Sequence, residues 1–299
     1  MRVLFCGSGW LPIVDILRER ARDSSIEMWD RRVPLVDAIA EAEVVLPSNG
    51  RITAEAIAAA KQLRLIQQPA AGTEGIDLAA ATARQIPVCN APGANHISVA
   101  EHALFLLLAI ARRAPEAARA FANREVGVPL GIELAGKTLG IIGLGRTGSA
   151  LAERARALGM TVIALHRDSS RDPTDPFWAM CDAISIHCPL NDATRGMIDR
   201  AAFAAMRDGV LLVNVARGGV IDREALVEAL GADKLGGVGL DVHWEEPPDP
   251  NDALYRDLRV VAVPHVAGST REAFIRIADI VVDNLGRLSR GEELRHRVA

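Results

Sequence analysis

Three short apolar runs end in charged residues that could do chemistry together. Val210–Val215 leads into Ala216-Arg217-Gly218-Gly219, and Gly239-Leu240-Asp241 into Val242-His243-Trp244-Glu245-Glu246-Pro247. Val260–Val263 leads into Pro264-His265-Val266-Ala267-Gly268. A guanidinium can clasp a carboxylate through two parallel hydrogen bonds, which an ammonium cannot. An imidazole beside a carboxylate can deliver or take a proton near neutral pH. Each residue alone reads as an ordinary strand-end charge. Brought to one edge, an anion clamp, a carboxylate and an imidazole are what proton-coupled hydride transfer requires.

The sharpest local pattern is Gly143-Leu144-Gly145-Arg146-Thr147-Gly148. It directly follows the strand pattern Thr138–Ile142 and opens the helix pattern Ser149–Leu158. In that context the first glycine permits a tight turn and the second lets backbone approach a pyrophosphate. The third lets helix pack on strand, with the helix N-terminus facing the phosphates. Gly7-Ser8-Gly9 has Pro12 where a third glycine belongs, and reads as an ordinary strand-to-helix loop. The next strand, Val162–Leu165, runs into His166-Arg167-Asp168 rather than directly into an acidic residue. Arg167 suits a ribose 2′-phosphate, so NADP is the expected dinucleotide. NAD remains open if Asp168, two places late, takes the 2′-hydroxyl.

These groups need a scaffold of parallel strands. At about 100–200 residues per domain, 299 residues make two domains. In the first block, Arg2–Cys6, Ile26–Trp29, Val44–Pro47 and Leu63–Gln67 are strand candidates. Helix patterns near Ile13–Ala21, Leu35–Ala40 and Ala54–Lys61 separate them. An apolar helix follows over Ser98–Arg113, its start Ser98-Val-Ala-Glu101 having the form of a capping box. The second block offers Thr138–Ile142, Thr161–Leu165, Ala183–His187, Val210–Val215, Gly237–Leu240 and Val260–Val263, nearly all apolar and so covered on both faces. The final helix, Arg271–Leu288, is expected to pack back on the first block. The fold expected is therefore α/β: two doubly wound parallel sheets, a Rossmann cofactor domain (95–268) inserted into a discontinuous flavodoxin-like substrate domain (1–94 plus 269–299).

Composition excludes several classes. The chain is 49% hydrophobic and 24% charged, ordinary for a globular protein and unlike a disordered one. A formal net charge of −4, from 34 basic and 38 acidic residues, leaves no footprint for nucleic acid or an anionic membrane. The start lacks the apolar core of a signal peptide, and Ala103–Ala111 is too short to span a bilayer. Cys6, Cys89, Cys181 and Cys188 show no disulfide or zinc spacing, which fits a reducing, cytoplasmic setting and no metal. Cys6 reads as a small core residue, His102 as a packed or capping histidine, and His187 as lining the adenosine side of the cofactor.

The chain resembles the D-isomer-specific 2-hydroxyacid dehydrogenase family over nearly its whole length. The resemblance rests on Val99-Ala-Glu-His102, Gly143-Leu-Gly-Arg-Thr-Gly148, Asn214-Val-Ala-Arg-Gly-Gly-Val-Ile-Asp222 and Pro264-His-Val-Ala-Gly-Ser-Thr270. It implies that Arg217 binds substrate, that Glu246 supports the acid/base histidine, and that His265 is that histidine and proton donor. It further implies cofactor contacts at Gly143, Gly145, Arg146, Thr147, Gly148, His166, Arg167, Pro189, Thr194, Ala216, Asp241 and Gly268. Asn49-Gly50 and Ala71-Gly72 lie in segments that resemble the family's carboxylate-binding loops. The family's NAD-using members carry Asp at the place of His166, and Trp244 replaces a less bulky residue. The implied activity is hydride transfer between a nicotinamide cofactor and a small 2-oxoacid or D-2-hydroxyacid of the hydroxypyruvate or glyoxylate kind, by a homodimer formed through Ser98–Arg113. Phosphoglycerate oxidation is a rival that needs extra cations, Arg51 being the nearest candidate, and the expectation that no regulatory domain follows residue 299 counts against its allosterically controlled form. A non-catalytic nicotinamide-sensing protein is the other.

Overall fold

The structure, a computed structural model, describes residues 1–165 and 172–299. It divides into two compact units, Met1–Asn95 with Ser269–Ala299, and His96–Gly268.

The first unit opens with β1 (Arg2–Phe5), α1 (Pro12–Arg20), β2 (Ser25–Met28), α2 (Leu35–Ala38) and β3 (Val44–Leu46). It continues with α3 (Ala54–Ala59), β4 (Leu65–Gln67), α4 (Leu78–Ala83) and β5 (Val88–Cys89). The strands pair in parallel in the order β2-β1-β3-β4-β5. Side-chain caps start the short helices: Thr53 accepts the Ala56 N–H at 3.2 Å and Asp77 the Ala80 N–H at 2.9 Å, satisfying orphan donors of the first turn. β5 and α4 lie beyond the expected elements; two residues of strand are too short to register as a pattern.

The second unit begins with α5 (His96–Ala111) and α6 (Ala114–Ala122). Ser98 is therefore two residues inside α5 and buried, so the expected capping box at Ser98–Glu101 is not formed. Then come β6 (Thr138–Ile142), α7 (Arg146–Ala157), β7 (Thr161–Leu165), α8 (Pro176–Met180), β8 (Ala183–Ile186) and α9 (Arg200–Ala205). β9 (Val210–Asn214), α10 (Arg223–Gly231), β10 (Leu235–Leu240), α11 (Ala253–Arg256) and β11 (Val260–Ala262) complete it. The parallel sheet runs β11-β10-β9-β8-β6-β7. One apolar cluster, with Leu106, Leu107, Leu139 and Leu151, lies under α5 and α7; a second, with Trp178, Phe203, Leu212 and Leu226, covers the other face. Helices on both faces explain why the strands read as continuous apolar runs rather than alternating ones.

The chain then returns to the first unit as α12 (Arg271–Arg290), whose Phe274, Ile277, Val281 and Leu285 join Val3, Phe5, Leu46 and Leu65 in one core. Both units are thus doubly wound parallel sheets. No helix among the described residues is long and apolar enough to cross a membrane.

Candidate active site

In the second unit the sheet order reverses at β6, which has β7 on one side and β8 on the other. Ligands of open α/β sheets bind outside the carboxyl ends at such a point. The turn after β6 is built for close approach. Gly143 has φ +97°, and a Cβ there would lie 2.6 Å from the Cys188 backbone nitrogen in the loop after β8. A Cβ on Gly148 would lie 2.3 Å from the Gly143 carbonyl oxygen, so the first turn of α7 packs on the strand only with glycine there. Above Gly145 there is open space. Gly145 caps α7 without a side-chain bond, leaving the first N–H groups, near Arg146 and Thr147, free for anions. The cradle therefore fits a dinucleotide pyrophosphate.

The loop after β8 carries His187, Pro189 and Thr194. Thr194 Oγ1 donates to the Pro189 carbonyl at 2.6 Å, tying the loop's two ends together. His187 Nε2 meets Ser185 Oγ at 2.8 Å while its Nδ1 is enclosed without a partner. Burial holds this imidazole down at about 4, so it is neutral at physiological pH. His166 and Arg167, the expected ribose-end contacts, lie outside the described residues.

Three neighbouring loops hold the candidate catalytic groups. After β9, Asn214 folds the turn: its Oδ1 accepts the Ala216 N–H at 3.0 Å and its Nδ2 donates to the Arg217 carbonyl at 2.9 Å. Arg217 Nη1 donates to the Ala216 carbonyl at 2.7 Å. Gly218 brings this turn against the loop after β10, since a Cβ there would sit 2.2 Å from the His243 backbone carbon. In that loop His243 is fixed by Tyr255 (3.0 Å) and the Val263 carbonyl (2.9 Å), and Trp244 Nε1 donates to the Ile221 carbonyl at 2.7 Å. The His243 N–H donates to Glu246 Oε1 at 3.2 Å, and Glu246 Oε2 meets His265 Nδ1 at 2.8 Å. Burial pushes the Glu246 carboxyl up, but the hydrogen bond and charge of His265, with the His243 N–H, outweigh it and leave the group below its ordinary value. Glu246 is therefore an anion that fixes the His265 tautomer through Nδ1.

His265 itself has φ +52°, a conformation uncommon for a side chain of this size. Asp241, 1% exposed, holds it there. The Asp241 carbonyl accepts the His265 N–H at 2.8 Å, and Oδ1 accepts the N–H groups of Val266 (2.7 Å) and Ala267 (3.0 Å), just before Gly268. His102 Nε2, from α5, lies 3.6 Å from the same oxygen. Sequence reasoning set His102 aside, because its partner is distant along the chain.

In the first unit the reversal falls at β1, between β2 and β3. Here the Ser8 N–H donates to Asn49 Oδ1 and Asn49 Nδ2 to Ser8 Oγ, both at 2.8 Å. Gln68 Nε2 donates to the Ser48 (3.1 Å) and Gly72 (2.8 Å) carbonyls, tying the Asn49-Gly50 loop to the Ala71-Gly72 loop. The cysteines are all free and buried, and burial pushes Cys6 and Cys181 up to about 12 and Cys89 and Cys188 up to about 11. None is poised as a nucleophile.

Comparison with known proteins agrees with this geometry. Residues 104–267 match the family model described as D-isomer specific 2-hydroxyacid dehydrogenase, NAD binding domain. The chain is similar to a D-3-phosphoglycerate dehydrogenase of Archaeoglobus fulgidus, 39% identical over 95% of this chain and 56% of the relative. It thus spans about half the length of that relative and of others with the same name. It is also similar to a hydroxypyruvate reductase of Thermotoga maritima, 40% identical over 85% of each chain. Among solved structures, an NAD-dependent formate dehydrogenase of Staphylococcus aureus in complex with NAD aligns over 100% of this chain and 99% of its own, with a TM-score of 0.85 at 28% identity.

Proposed function

The chain belongs to the D-isomer-specific 2-hydroxyacid dehydrogenases, and from that premise we propose that it interconverts a small 2-oxoacid of the hydroxypyruvate or glyoxylate kind and its D-2-hydroxyacid. The observation that carries this reading is the Glu246–His265 pair at 2.8 Å, set in loops adjoining the Arg217 turn. A bound nicotinamide dinucleotide supplies or accepts the hydride at C2 of the substrate. Gly143, Gly145, Arg146, Thr147 and Gly148 would hold its pyrophosphate, with Pro189, Thr194, Ala216, Asp241 and Gly268 along the remainder. Arg217 clasps the substrate carboxylate in two hydrogen bonds and so orients the ketone. His265 Nε2 gives its proton to the developing alkoxide, and Glu246 stabilises the resulting orientation through Nδ1. We propose too that Asn49-Gly50 and Ala71-Gly72 present backbone N–H groups to a carboxylate.

Arg167, with no carboxylate at the place of His166, supports NADPH over NADH. A charge-assisted bond contributes about 1.5–3 kcal/mol, and each 1.4 kcal/mol is about tenfold, so the expected preference is roughly 10- to 100-fold. The decisive experiment measures kcat/KM for both reduced cofactors across hydroxypyruvate, glyoxylate, pyruvate and 3-phosphohydroxypyruvate. Highest values with an unphosphorylated acid support the proposal. Highest values with the phosphorylated one favour the reading carried by the phosphoglycerate dehydrogenase relatives, and binding without turnover favours a sensor. An NADH preference assigns the ribose to Asp168. The four free cysteines support a reducing, cytoplasmic location.

A further inference from the structure

His102 stands beside a buried carboxylate that has one oxygen without a partner. Asp241 has one oxygen, Oδ1, engaged with the Val266 and Ala267 N–H groups, while Oδ2 is enclosed without a hydrogen-bond partner. His102 Nε2 is likewise enclosed and unpartnered, 3.6 Å from Oδ1. A buried carboxylate persists only when hydrogen-bonded and charge-compensated. Among the described residues, the titratable groups facing Asp241 are His265, from the loop after β11 with Glu246 behind it, and His102 from α5. β9 contributes the uncharged Asn214, whose carbonyl accepts the Asp241 N–H. The neighbour of His102 on α5, Glu101, is engaged by Arg154 at 3.2 Å. Burial outweighs the opposing pull of His265, the Val266 N–H, His102 and the Ala267 N–H and holds the Asp241 carboxyl above its ordinary value. Burial outweighs the pull of Asp241 and holds the His102 imidazole below its ordinary value, so it gains charge only as pH falls.

We propose that His102 is a positioning residue: facing Asp241 from α5, it keeps that carboxylate an anionic acceptor, and through it holds the strained backbone at His265 in the conformation that aims the imidazole. This rests on the reading of His265 as proton donor. The chain of contacts is short. Losing the negative charge on Asp241 weakens both N–H bonds that follow His265, and a residue at φ +52° relaxes once its neighbours are released. His102 touches neither substrate nor reacting atoms in this account. Its effect therefore appears where the ionisation of Asp241 matters.

In the reductive direction low pH keeps a histidine proton donor charged. Loss of rate on the acid side then reports a carboxylate that aims His265 (Glu246 or Asp241), of which Asp241 faces His102. The test compares the kcat pH profile of 2-oxoacid reduction for wild type, His102→Leu, His102→Gln and His265→Gln. The proposal expects the acid limb of His102→Leu to lie at higher pH: as pH falls, a protonated His102 favours the Asp241 anion, and without that imidazole Asp241 takes a proton earlier. It also expects kcat at the optimum to fall about tenfold, short of the roughly 10²–10⁴-fold effect of an acid–base residue, with KM for the 2-oxoacid little changed. His102→Gln keeps a donor but no charge; it should recover most of kcat yet retain the displaced acid limb. If His102→Leu fails to fold, His102→Gln alone carries the test. A folded variant with the wild-type profile overturns the proposal. An active His265→Gln instead overturns the reading of His265, so the two failures are told apart.

Discussion

At the scale of single residues, the proposed site divides labour between groups assigned to substrate and groups that aim them. His265 is aimed twice, by Glu246 through Nδ1 and by Asp241 through the following peptide N–H groups. His265→Gln should lower kcat about 10²–10⁴-fold, the usual worth of general acid–base catalysis, while cofactor affinity by fluorescence titration barely changes. Turnover within about threefold of wild type would remove His265 from its role. Arg217→Lys keeps the charge and loses the planar fork, so kcat/KM should fall by more than about tenfold. Near-complete retention would mean the carboxylate is held by charge alone. The residues proposed to touch substrate could be singled out in the sequence because each stands at the end of an apolar run. Of the aiming residues, Glu246 was named by the resemblance, but His102 and Asp241 are read as a pair only once α5 is known to lie over β10, and Gln68 only once two loops share one side chain.

At the scale of elements, the strands were legible to within a residue or two where they are flanked by clear breakers, as for β6 and β7. The misses have physical causes. β5 is two residues long, and α6 begins after Arg113 in a left-handed conformation, which no periodicity announces. The capping box at Ser98 was overridden by burial: α5 starts earlier because His96 and Ile97 extend it. The end of β8 carries a measurable consequence. His187 is held neutral at about 4 in the fold against 6.5 for the free group. Between those values the unfolded chain binds a proton the folded chain refuses, so stability falls as pH drops from 6.5 towards 4. One such residue contributes at most about 3 kcal/mol to that loss. His187→Gln should flatten the slope of denaturation free energy against pH in this window, and an unchanged slope would mean the imidazole is charged in the fold.

At the scale of the whole molecule, the second unit leaves Phe105 (52% exposed), Phe121 (85%), Val126 (95%) and Leu130 (86%) in water. These large exposed apolar groups along α5, α6 and the segment after it are the observation behind the proposed homodimer. Light scattering at micromolar concentration should therefore give twice the chain mass, and Phe121→Asp with Leu130→Asp should give the single-chain mass with an unchanged circular dichroism spectrum. A wild-type monomer would refute the homodimer. The buried thiols have a use of their own. Because every one is enclosed, with its acidity suppressed, alkylating reagents can reach sulfur only during an opening event. Cys6 and Cys89 lie in one unit, Cys181 and Cys188 in the other. The four thiols thus form a built-in clock: peptide-resolved alkylation over time should read the opening rate of each unit separately, without any introduced label. Rapid modification of the native protein would show that at least one of these sulfurs is open to solvent.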